Sequence, residues 1–171
     1  MTNKDLIRDL NSKNIALISK AIDYISEKGN PEIIPELIAL LNDNKDDSLK
    51  EQLIKLFENL HEQKSLIYII NALSDKQNKN IRSLLVSTCW KSSLNFDDHI
   101  ELFTEIFIES DFTEAFDALT VIENMYSVVE EKAKKCILRL ETYLEDANDL
   151  KKPIVCELIK IIQTHIENPT D

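Results

Sequence analysis

Apolar residues in this chain recur at intervals of three and four from end to end, as in Leu37, Ile38 and Leu41 and again in Leu49, Leu53, Leu56 and Leu60. That period lays a hydrophobic stripe along one side of a helix. A half-buried strand needs strict alternation, which the sequence nowhere sustains. The chain is therefore expected to be all-α, with helices over about 4–10, 14–28, 32–42, 47–61, 65–74, 78–92, 97–109, 112–126, 128–145 and 150–167. Helix-start chemistry falls at Asn30 before Pro31, Ser48 with Glu51, Asp111 with Glu114 and Ser127 with Glu130. Gly29 sits where a helix ending near Lys28 would want a left-handed residue. Ten helices with short connections make five antiparallel pairs.

The single glycine is itself a constraint. A phosphate-binding loop, a dinucleotide fingerprint or a glycine-flanked nucleophile elbow each needs at least two residues free of Cβ strain close together, so none can be built. With 43% hydrophobic and 30% charged residues in 171, there is enough apolar material for one self-sufficient domain over residues 1–171. No apolar run approaches the roughly 18 to 20 residues of a membrane span, and Met1 to Leu10 alternates charged and apolar residues rather than reading as a signal peptide. Cys89, Cys136 and Cys156 are odd in number, widely spaced and set in apolar helical stretches. They are expected to be reduced, buried thiols of a cytoplasmic protein.

The helix pairs repeat. A slide of 31 residues carries Leu10, Ile18, Ile22 and Ile25 onto Leu41, Leu49, Leu53 and Leu56. A slide of 32 carries Ile38, Leu41, Asp43, Leu49, Lys50 and Leu53 onto Ile70, Leu73, Asp75, Ile81, Arg82 and Leu85. Helix pairs at such a period mark a solenoid, because one pair cannot bury its stripe without a neighbour. The run Pro35 to Asp43, followed by Leu49, Lys50, Leu53 and Leu56, resembles a HEAT repeat: proline in the first helix, Asp in the turn, a basic residue early in the second helix. The next unit keeps Asp75 and Arg82, and the agreement is best over residues 30–92. The resemblance implies a right-handed superhelix of about five helix pairs, whose second helices line a concave ligand surface, and it implies no particular reaction.

Net charge is −11, which disfavours nucleic acid as a direct ligand because phosphates demand a basic surface. From Ser92 to Glu131 there is no Lys or Arg, and eleven acids in that stretch account for the whole imbalance. Asp98, Glu101, Glu105 and Glu109 fall at helical spacing opposite Ile100, Phe103, Ile106 and Phe107. On the next helix Glu114, Asp117, Thr120 and Asn124 are expected to face outward, away from Phe112, Phe116, Leu119 and Ile122. The simpler role for these eight residues is a solvated face. The functional one is a docking surface for a basic protein or peptide.

Other features point less far. His61 and Glu62 resemble the His-Glu dyads of the HEAT-repeat deoxyhypusine hydroxylases, but that family repeats the dyad and this chain has it once, so His61 is expected at solvent without a metal. Trp90 is expected in the core. The last helix has a wide apolar arc of Ile154, Leu158, Ile161, Val155, Ile159, Ile162 and Ile166, wide enough for a weak homodimer through this end. The chain is thus expected to be a protein- or peptide-binding scaffold without catalytic activity or cofactor. A metal-dependent or hydrolytic enzyme of the same repeat type is the alternative.

Overall fold

The computed structural model describes residues 1–167, and among them there are ten α-helices and no strand. The chain divides into two compact units, Met1–Leu94 and the part from Asn95 onward. The first contains α1 (Asn3–Leu10), α2 (Ile15–Lys28), α3 (Ile34–Asp43), α4 (Asp47–Glu58), α5 (Leu66–Ser74) and α6 (Arg82–Cys89). The second contains α7 (Ile100–Glu109), α8 (Phe112–Glu123), α9 (Glu130–Asp146) and α10 (Lys152–Glu167).

Within the first unit successive helices pair, α1 with α2, α3 with α4 and α5 with α6. The pairs stack in two layers, α1 on α3 on α5 and α2 on α4 on α6. The second unit repeats the arrangement: α7 pairs with α8 and α9 with α10, while α7 packs on α9 and α8 on α10. The positions matched by the two slides mostly share their environment. Leu10, Ile18, Ile22, Ile25, Leu41, Leu49, Leu53, Leu56, Leu73, Ile81 and Leu85 are all buried, and Ile70 alone among the apolar matches is only half-buried.

Local chemistry accounts for several helix ends. Thr2 and Asp5 form a reciprocal capping box at the start of α1, Asn14 caps α2, and Asp111 caps α8 by accepting from the Glu114 N–H at 3.0 Å. Three expected starts are displaced. Asn30 makes no side-chain cap bond and Pro31 opens a 3-10 turn, so α3 begins only at Ile34. The cap of α4 is Asp46, which accepts from the Leu49 N–H, rather than Ser48. Ser127 caps nothing: α9 begins at Glu130, and the Ser127 N–H goes to Asp97. The expected helix over 78–92 is shorter, because a 3-10 turn at Lys76–Asn78, started by the Asp75 side chain, precedes α6.

In a chain with one glycine, other residues must close the helix C-termini. Gly29 does so for α2, at φ 67°. Asn11, Asn59 and Asn124 occupy the same position after α1, α4 and α8, and each donates its side-chain amide to the carbonyl four residues back, at 3.0, 2.7 and 2.9 Å. Each of those carbonyls also accepts the backbone N–H of the same asparagine, so the side chain adds a second donor that fastens the last turn.

Candidate interaction surface

The charge of the protein belongs to its second unit. The first holds thirteen basic and thirteen acidic side chains, and from Asn95 onward there are seven basic against eighteen acidic. On α7 the residues Ile100, Phe103, Ile106 and Phe107 are buried, as their spacing requires, which leaves Asp98, Glu101, Glu105 and Glu109 on the other side.

That acidic row is not bare. On α9, Ala133, Cys136 and Leu140 pack inward, and this orientation aligns Lys132, Lys135 and Arg139 at three and four spacing. Lys132 Nζ donates to the Asp98 carbonyl at 2.8 Å and lies 3.7 Å from its carboxylate. Arg139 forks onto both carboxylate oxygens of Glu105, at 3.0 and 3.3 Å. Lys135 pairs with Glu131 at 3.0 Å, and that bond, with Glu101 adding to it, holds its ammonium above the ordinary lysine value. The expectation of a stretch without neutralising cations therefore needs correcting: the cations come from the following helix pair, 34 residues on. Water and salt screen such exposed pairs strongly, so the row orders the surface more than it stabilises the fold.

The orientation of α8 is also corrected. Glu114, expected outside, is buried at 8% exposure beside Ala115, Ala118, Leu119 and Ile122. Phe112 and Phe116, expected inside, are 40% and 50% exposed and stack on each other with centroids 6.4 Å apart. Small alanines allow neighbouring helices to come close, and bulky rings on that side would hold them apart. Asp117 and Thr120 are half-buried and Asn124 is exposed. The Thr120 hydroxyl donates to the Phe116 carbonyl at 3.0 Å.

No family model matches the chain, and no curated protein matches it.

Two polar residues that sequence reasoning passed over organise this unit. Asp97 is buried and accepts from the Tyr126 and Ser127 N–H groups, both at 3.0 Å, and from the Asn95 amide at 3.1 Å. It ties the connection between α8 and α9 to the approach to α7. Lys151 is 4% exposed, and its ammonium donates to the carbonyls of Phe107, Ile108 and Ser110 at 2.7, 3.2 and 2.6 Å. The same ammonium lies 5.4 Å from the Phe107 ring centroid and 5.5 Å from that of Tyr143. Burial pushes it below the ordinary lysine value, while the nearby Asp111 and Glu114 pull it back. On α10, which packs on α8, His165 Nε2 lies 2.9 Å from the Ile122 carbonyl near the end of α8.

The remaining candidates are dispersed. His61 is exposed with Nδ1 3.2 Å from the Asn59 carbonyl, and Glu62 instead turns its carboxylate over Gly29. His99 is half-buried, and burial lowers its pKa. Among the described residues no three His, Cys, Asp or Glu side chains are grouped to hold a metal ion. Cys89 and Cys136 are buried, and burial pushes both thiols up, but Cys156 is exposed on α10, against expectation. Trp90 is also partly exposed, with the Lys91 ammonium 5.2 Å from its ring. On α10 Val155, Leu158 and Ile162 are buried, and Ile154, Ile159, Ile161 and Ile166 are half-buried. None of the described helices is long and apolar enough to cross a membrane.

Proposed function

We propose that this protein is a HEAT-like α-solenoid that binds a protein or peptide and carries out no chemistry, with its second unit serving a basic partner. The observation that carries the proposal is the segregation of charge: the first unit is balanced, and the second holds the entire excess of −11. Layered helix pairs support it, since such stacks present long ridged faces suited to polypeptides. A field of one sign speeds encounter with an oppositely charged partner and makes binding sensitive to salt. Unpaired cysteines fit a reducing compartment, which for this reading is the cytoplasm. The half-buried isoleucines of α10 are where a weak homodimer would form, and sedimentation at high concentration tests that separately.

The decisive experiment is binding of a fluorescent lysine-rich peptide to the full chain, followed by anisotropy at low and at physiological salt. Reversal is best made at Glu101 and Glu123, because Glu105→Lys would break the fork to Arg139 and disturb α7 and α9 together. Glu101→Lys with Glu123→Lys is expected to abolish most of the salt-sensitive binding. Undiminished binding by that variant, or none by the wild type, would rule the function out.

A further inference from the structure

We propose that the exposed face of α8 is the seat for one amphipathic, basic helix of a partner protein, anchored by apolar residues on Phe112 and Phe116; this rests on the binding function proposed above. Two observations converge on this face. The first is apolar: Phe112 and Phe116 lie one turn apart on the solvent side of α8, stacked with centroids 6.4 Å apart. Side chains one turn apart on a partner helix have nearly the same separation, about 5–6 Å, so a pair at i and i+4 meets the two rings in register. The second is electrostatic. The α7–α8 pair contains no Lys or Arg, and the basic row of α9 is engaged on the α7 side, with Lys132 on Asp98 and Arg139 on Glu105. At the two ends of α8, Asp111 and Glu123 are exposed; Asp111 also caps the helix and has the buried Lys151 ammonium near it, so Glu123 is the end without a nearby lysine of that kind. Twelve residues of helix separate them by about 18 Å, so a partner helix of about the same length could set cations against both ends while its middle covers the rings. An acidic rim around an aromatic anchor selects such a helix over an anionic membrane or nucleic acid, both of which the charge repels.

The test uses the full chain and three labelled peptides of 16 or so residues. One carries two leucines at i and i+4 among lysines and alanines, the second has those leucines replaced by serine, and the third has its lysines replaced by glutamate. The leucine-lysine peptide is expected to bind about tenfold more tightly than the serine peptide, and the glutamate peptide not to bind measurably. Phe112→Ser and Phe116→Ser, made singly and together, should erase the preference for leucine while leaving the circular dichroism of the helices unchanged, since both rings are at the surface. Glu123→Lys should weaken both basic peptides by about threefold. Equal binding of the leucine and serine peptides would overturn this inference and leave the charge-based function standing. A leucine preference that survives in the double Phe variant, or self-association of the protein that the Phe substitutions abolish, would also overturn it. Failure of every basic peptide to bind would remove both.

Discussion

Lys151 closes the end of α7 where no glycine is available to do so. The helix stops at Glu109 with several carbonyls unsatisfied, and three backbone oxygens at this end receive the one ammonium from above. Lys151→Met keeps the apolar stem and removes all the donors, leaving buried acceptors without partners. It is expected to destabilise the protein by about 2–3 kcal/mol, read from the midpoint of urea unfolding, with Lys152→Met at an exposed neighbour as the near-neutral control. The thiols give a second prediction. A thiol reagent should titrate one cysteine in the native protein, Cys156, and all three once the chain is unfolded, because Cys89 and Cys136 are buried and their thiolates disfavoured. Cys156→Ser should bring the native titre to zero. Neither Lys151 nor Asp97 was legible in the sequence. Each acts on residues 29 or more positions away, and in composition Asp97 is one acid among eleven.

At the scale of the element, the helices could be read beforehand because their periodicity is local, and so could two of their ends: Asp111 caps its own helix, and Gly29 ends its own. The rotation of α8 could not. Leu119 and Ile122 belong both to a stripe with Phe112 and Phe116 and to one with Ala115 and Ala118, so periodicity alone leaves two faces open. Hydrophobicity favours the phenylalanines, but the close approach of neighbouring helices favours the alanines, and the latter prevails. At Gly29 the backbone sits at φ 67°, and the Glu62 carboxylate occupies the space a Cβ would need. Gly29→Ala should therefore cost about 1–3 kcal/mol, measured by denaturant unfolding. Adding Glu62→Ala should restore only part of that loss, since the clash is relieved and the left-handed strain is not.

For the whole molecule, an excess of eleven negative charges confined to one unit implies self-repulsion that salt can screen. The ion pairs between α7 and α9 are exposed and lose little. Raising sodium chloride from 50 to 500 mM should thus increase thermal stability, by about 1 kcal/mol or roughly 2–4 °C in Tm. Scanning calorimetry showing a fall would mean that the pairs outweigh the repulsion. The reach of Lys151 has a bearing on synthesis as well. The carbonyls it serves lie 41 to 44 positions earlier, so a nascent chain that has emerged only as far as α9 carries an α7 whose tail is still unfastened. The second unit should then settle late on the ribosome, only once the segment beyond Asp149 has cleared the exit.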